Sequence, residues 1–367
     1  MNDSIFVPSF GNRPTNLIGR EEILARFRES LTSVPGSRER AILLLGQRGS
    51  GKTVLLLVLA DMAKEASIIT ASPTVVTKDM NDRILEKLIL SSEDILGKKK
   101  QKVAGANLSV MGFGAGIQLQ NGSNVKQSFA GALSEICEKA NDKGHPVLIL
   151  IDETQPDTEE LRKLVVAYQE MVGEGRDIFL VMAGLPETVS GVLNDHVLTF
   201  LNRATKIELP PLRIGDVEVY YRNAFSSLGI LSEEDILHRL ALETFGSPYL
   251  MQLIGHYATV MSDGDTVNNE IADRAILQAS EDYKNDICKT AMASLSERDV
   301  DFLVAMSKDE GDSVISDITS RLGCSDAYVQ TYKRRLVQSG VIRQPGRGRL
   351  SFTVPYMREY LRGLSGS

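Results

Sequence analysis

The stretch AILLLGQRGSGKTVLLLVLADMAKE, residues 41–65, decides how the chain folds. AILLL is an apolar run of strand length, and residues 54–66 carry an amphipathic helical pattern. Between them GQRGSGKT, residues 46–53, fits G-x-x-x-x-G-K-[ST] in the strand-then-helix setting that this motif requires. Gly46, Gly49 and Gly51 allow turns that aim backbone N–H groups of Gln47, Arg48, Ser50 and their neighbours at phosphate oxygens. The start of the following helix, at Thr53 and Val54, adds its positive end. Lys52 is then the cation for the outer phosphates, and the Thr53 hydroxyl is a ligand for Mg²⁺.

Such a loop needs an acid from another buried strand to hold the metal from the far side. VLILIDET, residues 147–154, supplies Asp152 as that ligand, with Glu153 beside it as the group that orients and deprotonates an attacking water.

Outward from these two strands, SIIT (67–70), DIFLVMA (177–183) and TKIEL (205–209) are further strand candidates. They alternate with helical stretches near 79–93, 127–142, 157–173 and 186–203, for which Asp79 and Asp157 are N-cap candidates. This is the pattern of an α/β fold, a parallel sheet covered on both faces. After PPL (210–212) the strands stop, and four helical patterns run to about residue 294. A last unit of three helices and two short strands follows. The expected domains are therefore 1–212, a three-layer P-loop core; 213–294, a helical lid; and 295–367. Residues 97–128 fit none of these, and the alternation around GFGAG there predicts an inserted β-hairpin or a surface loop. No helix pattern follows those glycines, so a dinucleotide site is not expected.

With these residues in place the chain resembles the AAA+ superfamily, and within it the Orc/Cdc6-like and STAND ATPases. NLIGREEIL, residues 16–24, is similar to the segment that precedes the P-loop in both groups, which implies Ile18, Gly19 and Arg20 in the nucleotide pocket. GSPYLM, 246–251, resembles the lid motif whose proline, here Pro248, lies against the base. The resemblance implies ATP and Mg²⁺ as cofactors, ATP hydrolysis, and a homo-oligomer in the ATP state. In that state Arg203 of one subunit reaches the γ-phosphate held by its neighbour. Two departures stand out. Ala183 and Gly184 end a strand where the pattern has a polar sensor, and Tyr249 follows the lid motif where origin-type ATPases tend to have arginine.

The C-terminal segment resembles a winged helix, with Ser296 and Ser325 as helix caps, Val314, Ile315, Ile318 and Leu322 as an apolar face, and Gly340 ending the third helix. The chain has a formal net charge of −7, yet residues 321–367 carry nine Lys and Arg against Asp326 and Glu359. Lys333 and Arg334 on the third helix, with Arg343, Arg347 and Arg349 on the strand pair, are expected to meet double-stranded DNA. The alternative is a STAND-type signalling switch whose winged helix packs on a protein partner. A small-molecule kinase would not need the additions after residue 212. The beginning of the chain lacks the basic and apolar regions of a leader, and no apolar run is long enough to span a bilayer, so a cytoplasmic protein is expected. Cys137, Cys288 and Cys324 are too far apart in sequence to form a metal-ligand cluster.

Overall fold

The structure is a computed structural model that describes residues 5–8, 17–95, 128–155, 158–193, 195, 198–293 and 295–365. The insertion expected near 97–128, apart from its last residue, and the Asp157 cap lie outside the described residues.

Five parallel strands, β1 (Ala41–Leu45), β2 (Ile69–Val75), β3 (Val147–Asp152), β4 (Ile178–Gly184) and β5 (Thr205–Glu208), form one sheet in the order β2-β3-β4-β1-β5. The strand period of two divides their side chains between two cores. Ile42, Leu44, Leu148, Leu150, Phe179 and Val181 meet α1 (Glu21–Ser30) and α2 (Lys52–Glu65) on one face. Leu43, Ile149, Leu180 and Met182 face the other way. There they meet α3 (Met80–Ile95), α4 (Phe129–Asn141), α5 (Glu159–Gly173) and α6 (Pro186–Leu193). Two-sided burial is why these strands read as unbroken apolar runs.

Three sequence expectations shift. The strand expected at 67–70 begins at Ile69, because Ser67 turns with φ 59°, and it runs on through Pro73 across a register break. β2 lies at the sheet edge, where a proline removes no ladder bond. The helix expected over 186–203 is instead α6 and a separate 3₁₀ turn, Thr199–Arg203, with Asp195 between them tied to Arg162 at 2.7 Å. Past residue 212 strands do not stop entirely, since β6 (Leu231–Ser232) pairs with β7 (Thr266–Val267).

That region otherwise comprises α7 (Ile214–Ser227), α8 (Glu234–Leu242), α9 (Pro248–Met261) and α10 (Asn269–Tyr283), then a π-helical turn, Lys284–Cys288, and α11 (Lys289–Met292). The C-terminal elements are α12 (Glu297–Ser307), β8 (Ser313–Val314), α13 (Ile315–Leu322), α14 (Asp326–Gln338), β9 (Ile342–Gly346), β10 (Arg349–Phe352) and α15 (Met357–Ser365). The strands form a sheet in the order β8-β10-β9. Ser296 caps α12 in a capping box with Asp299, Ser325 caps α14, and Gly340 follows α14 with φ 69°. One contiguous buried cluster runs from Phe6 through α7–α11 to Leu361, so the helical segment and the C-terminal elements share a core.

Candidate functional site: a phosphate loop under a helical lid

β1 delivers the chain to Gly46, whose N–H donates to the Gly184 carbonyl at 3.1 Å, so the loop starts anchored on the neighbouring strand. Gly49 and Gly51 are left-handed, with φ 74° and 85°, and Gly51 caps α2 with no side chain of its own. Lys52 folds back over the loop and donates to the Gly46 and Gln47 carbonyls at 2.7 and 2.8 Å. Burial pushes its pKa down to about 8, with Arg48 acting in the same direction and Asp152 and Glu153 opposing.

The two sequence motifs meet directly. Thr53 Oγ1 donates to Asp152 Oδ2 at 2.6 Å, and Asp152 is 4% exposed at the end of β3. Its other oxygen accepts the Glu153 N–H at 2.9 Å. Glu153 is exposed and holds φ 51°, an unfavourable conformation for a glutamate. A carboxylate and a hydroxyl from two elements are hard oxygen donors of the kind that hold Mg²⁺ together with phosphate oxygens.

Around the loop several buried polar atoms lack a hydrogen-bond partner among the described residues: Gln47 Oε1, Arg48 Nε, Ser50 Oγ and Thr154 Oγ1. Each such atom costs about 1–3 kcal/mol unless something satisfies it. Loop residues Arg48 to Thr53, with Val54, Asp152 and Glu153, line a cavity of about 440 Å³, and Pro248 closes it from the lid side.

Residues 16–181 match the AAA ATPase domain family, and residues 285–361 match a domain of unknown function (DUF8462). Comparison with curated proteins gives no match. Among solved structures the chain is similar to the Walker-type ATPase of Pyrococcus abyssi, with TM-score 0.69, 16% identity, and 98% of this chain and 99% of that chain covered. It is also similar to the Aeropyrum pernix ORC2 protein in its ADPNP–ADP complexes, with TM-score 0.63, 11% identity and 98% of each chain covered. Cdc6p from Pyrobaculum aerophilum gives TM-score 0.51 and 17% identity, with 99% of this chain and 98% of that one covered. The fold is that of an AAA+ P-loop ATPase of the Orc/Cdc6 type.

In this chain the lid sits directly on the loop. Gly246 follows Phe245 into the GSP turn with φ 70°, and a Cβ there would lie 2.5 Å from the Leu212 carbonyl oxygen and 2.8 Å from Pro211 Cβ. Its carbonyl accepts the Leu212 N–H at 2.8 Å, so a glycine is what lets the lid motif press backbone to backbone on the hinge. Ser247 caps α9 and Pro248 opens it, bringing Pro248 within 4 Å of where a Cβ on Gly51 would be.

The segment before the P-loop is only partly gathered in. Ile18 and Arg20 line the cavity, whereas Gly19 faces neighbouring clefts beside Leu212 and Asp216. Arg20 is 4% exposed and turns its guanidinium to backbone, donating to the Pro210 carbonyl at 2.8 Å and reaching the Ser50 carbonyl at 3.5 Å. It therefore staples loop to hinge. Arg203 is exposed at the end of its 3₁₀ turn and lies off the cavity. At the strand end without a polar sensor, a Cβ on Gly184 would lie 3.3 Å from Thr154 Cβ and 2.9 Å from a Val189 methyl, so only a residue without a side chain fits. Sequence reasoning missed Val7, Gln252 and Asp286, which with Tyr249, noted there only as a departure at the lid motif, complete the wall opposite the loop. Gln252 Oε1 accepts the Val7 N–H at 2.9 Å and binds the start of the chain to the lid.

At the C-terminal unit the nine basic residues divide into two sets. Arg321 pairs with Asp309, Arg335 with Asp299 and Arg362 with Glu310, while Arg358 donates to the Gly311 carbonyl. Lys333, Arg334, Arg343, Arg347 and Arg349 form no ion pair among the described residues, and all but the half-buried Lys333 are exposed. Ile342 and Leu350 fill the core side of the strand pair, so Arg343 and Arg349, at alternate positions, stand on its outer side.

Proposed function

We propose that the chain binds ATP with Mg²⁺ at the loop of residues 46–54, hydrolyses it, and uses the nucleotide state to set the pose of a C-terminal winged helix on double-stranded DNA. The observation that carries the nucleotide reading is the Thr53–Asp152 hydrogen bond at 2.6 Å beneath a loop rich in unsatisfied buried polar atoms. In this reading Lys52 leaves the loop carbonyls for the β and γ phosphates, and Thr53 and Asp152 hold the metal. Mg²⁺, when bound, neutralises charge on the phosphates. Glu153 orients the attacking water and takes its proton. Arg203, exposed and remote from its own subunit's cavity, acts on a neighbour's γ-phosphate in an ATP-dependent homo-oligomer. The working units are 1–212, the P-loop core; 213–294, the lid; and 295–367, the winged helix.

DNA as partner is supported by the five cations that have no acidic partner among the described residues, on the third helix and the strand pair. A second reading, a switch of STAND type, has one observation in its favour. The end of α14 packs on the ATPase core: a Cβ on Gly340 would lie 3.1 Å from Leu185 and 3.2 Å from Gln47 Oε1. A unit held against the loop in this way can instead release a protein-binding surface.

The nucleotide reading is tested by turnover. Glu153→Gln is expected to keep Mg·ATP bound while slowing hydrolysis by about a hundredfold or more, since the amide holds water without accepting its proton. Phosphate release at the parental rate from the variant would remove Glu153 from the reaction.

A further inference from the structure

The wall of the cavity opposite the phosphate loop is mostly apolar, formed by Val7, Leu17, Ile18, Leu212 and Met251. One acid interrupts it. Asp286 lines the cavity from the π-helical turn Lys284–Cys288, inserted between α10 and α11. Single π-turns inside helices tend to occur at functional sites, because the extra residue re-aims the side chains that follow. Here Asp286 and Ile287 reach the cavity, while Cys288 remains buried with its thiol 3.4 Å from the Pro355 carbonyl.

The carboxylate is oriented by Tyr249, whose hydroxyl donates to Asp286 Oδ2 at 2.6 Å. Burial together with this acid holds the phenol far above its ordinary pKa, so the tyrosine remains a donor. Asp286 Oδ1 accepts no hydrogen bond among the described residues, and no Lys or Arg there pairs with the carboxylate. Its sequence neighbour Lys284 is turned to Glu281 at 2.6 Å. An acid with a free oxygen and no cation is unsuited to a phosphate, which carries the same charge. It suits a donor on the nucleoside. The phosphate end is already supplied by Lys52, Thr53 and Asp152, which leaves the sugar and base for the lid wall.

We propose that Asp286, oriented by Tyr249, is the acceptor that reads a hydrogen-bond donor on the nucleoside half of the bound nucleotide and so sets which nucleotide this chain accepts. The inference rests on nucleotide binding at the P-loop. The donor is either a sugar hydroxyl or the exocyclic amine of adenine, and the two sources can be separated.

The test is calorimetry on the full chain with Mg²⁺ and four probes: ATP, dATP, 3′-deoxy-ATP and ITP. Parent protein is expected to bind ATP about tenfold more tightly than at least one of the other three, the effect of losing one hydrogen bond to a charged acceptor. A deficit with dATP or 3′-deoxy-ATP assigns the sugar, and one with ITP assigns the base. Asp286→Ala removes a negative charge from a polyanion site, which by itself strengthens all four equally, so the readout is the ratio between probes. That ratio is expected to fall to within about twofold in Asp286→Ala and to shrink in part in Tyr249→Phe. Equal binding of all four probes by the parent, or an unchanged ratio in Asp286→Ala, overturns the proposal. Loss of all ATP binding in the parent overturns the nucleotide reading itself, and this inference with it. Asp286→Asn keeps the shape but, with its one oxygen held by the Tyr249 hydroxyl, turns an amide N–H₂ toward the nucleoside; it is expected to lose the preference as the alanine variant does and guards against a folding defect there.

Discussion

The P-loop and the C-terminal unit both present polar groups without partners among the described residues, but at opposite levels of exposure. Around the loop the lone atoms are buried: Gln47 Oε1, Arg48 Nε, Ser50 Oγ and Thr154 Oγ1. On the C-terminal unit they are the cations of Arg334, Arg343, Arg347 and Arg349, open to water. A buried polar atom without a partner weakens the fold, and two of these residues, Arg48 and Ser50, line the cavity, where a ligand can satisfy them. An exposed arginine costs nothing, because water solvates it. The first pattern therefore argues for a polyanion by energetics. The second argues for one through the excess of charge and its sidedness, and it needs a measurement that senses counterions.

The largest expected effect falls on the buried side of that contrast. Lys52→Ala should weaken Mg·ATP binding by about a hundredfold or more by calorimetry, because the lysine's charge-assisted contacts to two phosphates are lost together. Parental affinity in that variant would mean that the loop is not where the nucleotide sits.

A smaller effect sharpens the same point. Burial holds the Lys52 pKa down at about 8, so near pH 8 half of the free protein carries the ammonium and half the amine. Phosphates favour the charged form and raise that pKa. Binding at pH 8 should thus take up roughly half a proton, and at about pH 6.5 almost none from this group. Affinity should accordingly decline as pH rises above 8. Heats of ADP binding in two buffers of different ionisation enthalpy give the uptake directly, and no uptake at pH 8 would contradict a buried Lys52 at the phosphates.

How much of this was legible in the sequence follows the range of the interactions. Residues 41–65 and 147–153 are governed by local rules, strand patterning and a loop whose glycines sit at fixed spacing, and both motifs meet as expected. The lid wall was not legible. Val7, Gln252 and Asp286 come from positions far apart, and Asp286 lies in an ordinary helical pattern in which nothing marks the π-turn. Likewise the sequence shows nine basic residues near the C-terminus but not which of them stay free. That is decided by Asp299, Asp309 and Glu310 on and beside α12, which neutralise Arg335, Arg321 and Arg362. The break in 186–203 and the late start of β2 are tertiary outcomes as well, set by Asp195 against Arg162 and by the turn at Ser67.

Control of DNA binding by the nucleotide is tested most directly by duplex DNA binding of the full chain, measured with ATP, with ADP and without nucleotide across a range of salt. Affinity is expected to differ between the nucleotide states and to fall with salt at a log–log slope of roughly −4 to −5, as for about five phosphate contacts. Replacing Arg347 and Arg349 by alanine should flatten that slope by about one unit per lost contact. Binding that is undetectable at low ionic strength in every nucleotide state, or that ignores salt, would rule out DNA as the partner and move the C-terminal unit to a protein partner.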